Sequence, residues 1–247
     1  MFRDVIVERL EGCRSPWLFV GCLSMGESAK ILNRYTTLPV LVDALTHKRL
    51  TLLSPKTWED RNDSFYIDEY RRKKKLKSVL AICFTMSRET FHHWKIFSNG
   101  TAGVCIEFDK ERLEGSLKTK RGFIGRDVDY RTIEHVEQKA PDISDWPFLK
   151  RHAFKAEHEF RIIFENLEPL RTKSLSFEIE WVDKVTLSPW MPKDFEEATI
   201  ALIKNIAGCE LLTVHRSTLL ENERWKAAVK NWVDPSKPRS TGFFDLS

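Results

Sequence analysis

No GxGxxG, P-loop, GxSxG or HExxH motif occurs in this chain. The usual signatures of Rossmann oxidoreductases, P-loop NTPases, α/β-hydrolases and zincins are therefore missing. No uncharged apolar run approaches the roughly 18 to 20 residues that a membrane span needs, so no membrane partner is expected. There is no internal repeat and no low-complexity segment, which argues against a solenoid. Cysteine is sparse: Cys13, Cys22, Cys83, Cys105 and Cys209 are odd in number, widely spaced and form no CxxC pair. They read as reduced thiols, and the opening "MFRDVIVERLEG" is too charged for a signal peptide, so a cytoplasmic location is expected. Neither sign of charge dominates. With 40 Lys and Arg against 36 Asp and Glu, the balance falls short of the strongly basic one that by itself points to nucleic acid.

What is present suits a soluble globular core: 42% of the 247 residues are hydrophobic, among them 16 Phe and 8 Trp, enough large apolar surface for one core. We expect one α+β domain over 1–233, with Pro235 and Pro238 opening a polar tail at 234–247. "MFRDVIVERL" has helical spacing, "PWLFVGCL" is a short apolar run, and "ILNRYTT" reads as extended. Pro39 then sits in the first turn of a helix whose buried stripe is Val40, Leu41, Ala44 and Leu45. "RLTLLS", "SVLAICFTMS" and "AGVCIEFD" read as strands, the last two buried on both faces. "YIDEYRRKKKLK" reads as a charged, exposed helix and "RETFHHWKIFS" as a second, with a turn at Asn99 and Gly100. Further on, "GFIGRDVDY" reads as a strand and "WPFLKRHAF" as a helix. "EHEFRIIF", "LSFEIEWV", "KVTLSPW" and "ELLTVH" complete the strands, with helices at "PKDFEEATIALIKNIA" and "ENERWKAAVKNW". The order predicts a mixed, largely antiparallel sheet with helices packed around it.

Several polar groups are candidates for chemistry. In a strand over "EHEFRIIF", Glu157, Glu159 and Arg161 line one face and His158, Phe160 and Ile162 the other. Three charged groups on one face make either a solvated edge, where an ion pair contributes about 0 to 1 kcal/mol, or a cleft that tunes a carboxylate. Arg34 in "RYTT", at a strand terminus before a helix, suits a phosphate or carboxylate grip. Asp60, Asn62 and Asp63 offer oxygens for turn capping or for hard cations. Thr85 and Ser87 share a face at a strand end and are followed by His92, His93 and Trp94, an exposed ring of which could stack on a flat base. Adjacent histidines on a helix diverge by about 100°, a poor metal pair, so no metal is expected. The basic run at 71–75 suits a nucleic-acid backbone or simply a solvated face.

Taken together, "RYTTL", "LLSPKTWEDRND", "LAICFTMS", "HHWKIFSNGTAGVCIEFD" and "FKAEHEFRII" resemble the bacterial family catalogued as domain of unknown function 2971, over about residues 31–188. A more distant resemblance is to ADP-ribosyltransferases of the arginine, serine-threonine-serine, glutamate type. That resemblance implies NAD as substrate, with Arg34 on its phosphates, Tyr35, Thr85, Ser87 and Trp94 around the cofactor, and Asn62, Asp63 and Arg161 in support. It further implies Glu159 as the catalytic carboxylate beside the nicotinamide ribose and Glu157 as activator of an acceptor, left open among protein, nucleic acid and small molecule. The middle motif departs from the pattern, being "FTMS". Two other readings stay open: a metal-dependent nuclease using Asp60 or Asp63 with Glu157 or Glu159, and a non-catalytic ligand-binding or sensor domain in which Arg34, Asp63, Glu157, Glu159 and Arg161 form a structural charge network.

Overall fold

The computed structural model describes residues 30–98 and 100–233. The elements expected at "MFRDVIVERL" and "PWLFVGCL", the Asn99 half of the turn, Cys13, Cys22 and the 234–247 tail lie outside these residues. Strand β1 (Ile31–Thr37) runs directly into helix α1 (Leu38–His47), which carries Pro39 in its first turn and ends at Lys48 in the left-handed region. Leu41, Ala44 and Leu45 are buried as expected, whereas Val40 is 49% exposed, because the buried stripe is narrower than the apolar one. Strand β2 (Arg49–Leu53) follows, and then a 3-10 turn at Pro55–Thr57.

Helix α2 (Arg61–Lys73) begins well before the expected "YIDEY", because Asp60 accepts hydrogen bonds from the Asn62 and Asp63 backbone N–H groups and so caps it. The helix is charged but not wholly exposed, since Asp63, Ile67 and Tyr70 are buried. Strand β3 (Ser78–Thr85), helix α3 (Phe91–Phe97) and strand β4 (Gly103–Asp109) match the sequence reading. The middle of the chain matches less well. It holds α4 (Lys110–Leu117), β5 (Phe123–Asp127), β6 (Asp129–Arg131), α5 (Ile133–Gln138) and β7 (Leu149–Arg151). The expected helix at "WPFLKRHAF" is instead two 3-10 segments, Ile143–Phe148 and His152–Glu157, flanking β7. Pro147 lacks the N–H that an α-helix would need there. Then come β8 (Glu159–Asn166), β9 (Thr172–Ser176), β10 (Val182–Leu187), α6 (Lys193–Lys204), β11 (Thr213–Arg216) and α7 (Glu223–Val233). The strand expected at "LSFEIEWV" ends at Ser176 and gives way to a 3-10 turn at Ile179–Trp181.

The main sheet has nine strands in the order β11-β10-β4-β1-β3-β2-β9, with β8 pairing β3 and β5 pairing β8. Every pairing in it is antiparallel except β10 with β11. The expected α+β class with a largely antiparallel sheet is what the chain adopts; β6 and β7 form a small parallel pair apart from it. Alternation sorts the side chains. Phe160, Ile162 and Phe164 of β8 join Leu80, Ile82 and Phe84 of β3 in the main core, while Ile163, Val79 and Ala81 face a smaller cluster with Ile67, Tyr70 and Phe148.

One irregularity positions the site. Strands β1 and β3 are paired only at Asn33 and Thr85, and β2 joins β3 only at Leu53 and Ala81. Between these two points the edge of β3 has no strand beside it, and its polar backbone needs another partner. Cys83 lies in this gap.

Candidate active site

Arg34 fills the gap. It is half-buried in the middle of β1, not at a strand terminus, and its Nη1 donates to the Cys83 carbonyl oxygen at 2.9 Å. Along the other edge of β3, Glu159 and Arg161 of β8 are paired opposite Thr85 and Cys83 and share their face of the sheet. Around them opens a cavity of about 380 Å³, lined by Arg34, Tyr35, Trp58, Phe97, Phe154 and Glu157 among others. That volume lies within the usual range for small-molecule sites.

Its floor is a saturated charge network. Arg161 is fully buried and donates all five of its N–H groups: two to Glu159 (2.7 and 2.9 Å), two to Asp63 (2.8 and 2.7 Å) and one to the Pro147 carbonyl (2.7 Å). Its guanidinium also lies 5.0 Å from the centre of the Trp58 ring. Lys150 completes the arrangement, reaching Glu157 at 2.5 Å, Glu159 at 3.2 Å and Asp63 at 3.7 Å, with the Phe154 ring 5.1 Å away. The solvated edge considered for this strand is absent. β8 is an interior strand, and Glu159 is only 4% exposed.

Glu157 reaches the cluster by another route than strand alternation. It ends the 3-10 segment before β8, and His158 then turns the chain with φ of +44°. The end of β3 clamps this turn: the Thr85 hydroxyl donates to the Glu157 carbonyl at 2.6 Å, and the Met86 N–H donates to the His158 carbonyl at 2.8 Å. Thr85 also accepts from the Ser87 N–H at 3.0 Å, so the Thr-x-Ser segment holds the glutamate turn rather than lining the cavity with two hydroxyls. Ser87 itself lies outside the cavity, where its carbonyl accepts from the Asn33 amide.

Other expected residues are placed differently. Trp94 is 1% exposed, packs edge-on against Tyr35 and donates its indole N–H to Glu89, so it offers no exposed ring. Tyr35 does line the cavity and stacks on the buried His93, the ring centres 5.6 Å apart. Asn62 is exposed and supports the α2 cap; Asp63 alone of that pair enters the network. The basic run at 71–75 sits at the far end of α2, roughly 18 Å from the cleft by helix geometry, where Arg71 and Arg72 pair with Asp68 and Glu69. The carboxylates that the nuclease reading requires do converge, but on Lys150 and Arg161, whose cationic groups occupy the space between them. Among the described residues no group of three His, Cys, Asp or Glu side chains is arranged to hold a metal ion. No described helix is long and apolar enough to cross a membrane.

The sequence reading missed Lys150, Trp58, Phe154 and Cys83. Nothing local marks Lys150, because its three partners lie 7, 9 and 87 positions away.

The two glutamates are driven apart electrostatically. Against the penalty of burial, the Arg161 and Lys150 charges hold Glu159 down to about 2, whereas burial pushes Glu157 above its ordinary value despite Lys150. These shifts have a consequence for stability. Glu159 in the unfolded chain returns to its ordinary 4.5, so its contribution, on the order of 3 kcal/mol, is present above pH 4.5 and lost as pH falls towards 2. Glu157 acts oppositely, stabilising at acid pH and losing that effect as pH rises through its raised value. Urea midpoints measured against pH should therefore hold level or rise slightly from pH 7 to about 5, then drop steeply between 4.5 and 2. A steady decline beginning at neutrality would contradict this assignment.

No protein-family model matches the chain, and no curated protein does. Two solved structures of Thermus sp. 2.9 DarT match it at 9% identity with a TM-score of 0.41. One is in complex with ADP-ribosylated ssDNA and covers 76% of this chain and 94% of that one; the other is in complex with carba-NAD+ and covers 78% and 97%. A likeness this loose carries no argument about the site, which stands on its own geometry.

Proposed function

We propose that this cleft binds NAD and transfers its ADP-ribosyl group, with Glu159 as the fixed negative charge and Glu157 as the base. The observation that carries the reading is the opposition of Arg34 on one wall to a glutamate pair with oppositely shifted affinities for protons on the other. A pair divided in this way is how a site assigns one carboxylate to charge stabilisation and another to proton transfer. The resemblance of the Arg34, Thr85, Ser87, Glu157 and Glu159 order to ADP-ribosyltransferases supports it further. With all groups ionised, Asp63, Glu157 and Glu159 outnumber Lys150 and Arg161 by one charge. That excess favours the oxocarbenium character that builds on the ribose as the bond breaks. The glycosidic C–N bond breaks, its electron pair leaves with neutral nicotinamide, and the acceptor bonds to the ribose carbon as its proton passes to Glu157.

Arg34 would hold the diphosphate. Replacing it with Met should weaken NAD binding about 10- to 100-fold, as expected for lost charge-assisted hydrogen bonds, and leave nicotinamide riboside binding unchanged. Calorimetric titration of both ligands checks this; equal loss for both would remove Arg34 from the phosphate role.

A second reading, ligand binding without chemistry, draws on the saturation of Arg161 and the 4% exposure of Glu159. It shares the NAD-binding expectation and differs in turnover.

A further inference from the structure

The two glutamates of the site are held unequally. Both Glu159 oxygens accept from Arg161, and Oε2 accepts from Lys150 as well. The Glu157 carboxylate has a single hydrogen-bond partner among the described residues, Lys150, whose Nζ donates to Oε2 at 2.5 Å. Its Oε1 is left unengaged, and Glu157 lines the cavity with its side chain 15% exposed. Lys150 owes its place to the small parallel sheet. β6 and β7 set Tyr130 beside Lys150, and both side chains reach the start of β8: the Tyr130 hydroxyl accepts from the Glu159 N–H at 2.8 Å, and Lys150 bridges Glu157 and Glu159. The Lys150 side chain is 9% exposed, and an ammonium buried to this degree is costly unless paired. Here Glu157, Glu159 and Asp63 surround it, and the Phe154 ring lies beside it.

From this geometry, and resting on the transferase reading above, we propose that Lys150 is the positioning residue of the transfer step, holding Glu157 by Oε2 so that Oε1 meets the acceptor. Glu157 stands on a 3-10 turn outside β8, and Lys150 is what fixes its carboxylate there. A base fixed before the acceptor arrives removes an ordering cost from the reaction. The Lys150 charge also favours the ionised form that a base must have. Among the described residues no other cation bonds Glu157, since the Arg161 N–H groups are taken up by Glu159, Asp63 and Pro147, and Arg34 donates to the Cys83 carbonyl. The remaining titratable neighbours oppose ionisation or stay neutral. Glu159 of β8 and Asp63 of α2 oppose it, while burial keeps Tyr130 of β6 and His93 of α3 uncharged at neutral pH. Once the acceptor's proton passes to Oε1, Glu157 is neutral and Lys150 retains Glu159 and Asp63 as counter-charges.

The test follows transfer from NAD to methanol, a small hydroxyl acceptor, as the rate of methyl ADP-ribose formation against pH, assayed well below each protein's melting temperature. In wild type the rate should rise with pH through the raised value of Glu157. Lys150→Met removes the charge, and Lys150→Gln keeps an N–H donor without it. Both should move that rise upward by about one to three pH units, the usual effect of an opposite charge at such a distance, and Lys150→Arg should restore the wild-type position. Should Lys150→Met fail to fold, the Gln and Arg variants carry the same comparison. The position of the rise does not depend on how much of a variant is folded, so a merely structural role cannot move it. A loss of rate that is uniform across pH, or no recovery in Lys150→Arg, overturns the proposal. Nicotinamide release without any methyl ADP-ribose also overturns it while leaving bond cleavage standing. No release by the wild type overturns the transferase reading itself and the role of Lys150 with it, a result distinct from the others.

Discussion

Arg161→Met should destabilise the fold by about 3 to 5 kcal/mol, the usual cost of removing one partner from a buried ion pair. For a chain of this size that corresponds to a fall in melting temperature of roughly 6 to 20 °C. The reason lies in the count of partners. Met would fill much of the volume but would leave Asp63 and Glu159 buried with only Lys150 to offset them, along with an unpaired Pro147 carbonyl. Arg161→Lys should recover only part of the loss, because an ammonium has three donors and no fork to span two carboxylates. A pH signature distinguishes this cause from lost packing. In the variant both carboxylates gain protons more readily in the folded state than in the unfolded one, so the stability gap from wild type should narrow as pH falls through their raised values towards 4.5, and further below that as wild type loses the Glu159 contribution. Denaturation of both proteins at pH 7 and pH 4 measures it, and a gap independent of pH would mean that shape, not charge, is what Arg161 supplies.

Glu159→Gln should lower the turnover number for nicotinamide release by roughly 100- to 1000-fold, the range found when a fixed electrostatic stabiliser is removed from an active site. The dissociation constant for NAD should change little, since Glu159 is nearly inaccessible and acts by its charge. Both Glu159 oxygens accept from Arg161, and Lys150 adds a third bond. A Gln amide would direct N–H groups at those cations, so the melting temperature must be measured alongside and the assay run well below it. Glu157→Gln supplies the contrast. Its side chain is 15% exposed, and as a base it should be needed for transfer to an acceptor more than for breaking the glycosidic bond. Loss of both activities to the same extent in the Glu157 variant would remove the division of labour between the two carboxylates.

Much of the framework was legible because hydrophobic periodicity is local. The strands at "SVLAICFT" and "GVCIEFD" and the helix after Pro39 follow from alternation, apolar runs and capping signals. The segment between β5 and β8 was not, because it consists of 3-10 turns, three-residue strands and one six-residue helix, whose positions depend on tertiary contacts. The site shows the same divide. Alternation places Glu159 and Arg161 on one face, as found, but no periodicity could show that His158 adopts a left-handed turn and delivers Glu157 from outside the strand. Nor could it show that β8 is interior, which converts an ordinary surface ion pair into a buried network. Lys150 was invisible for the same reason, since its role exists only after β7 is packed beside α2 and β8.

The most direct measurement is release of labelled nicotinamide from NAD by the purified 247-residue chain, followed with wild type and Glu159→Gln at equal NAD occupancy. Release by the wild type that falls at least 100-fold in the variant, with NAD still bound, is the expected result. NAD bound by both proteins with no release from either would contradict ADP-ribosyl transfer and leave ligand binding on a structural charge network as the function of the cleft.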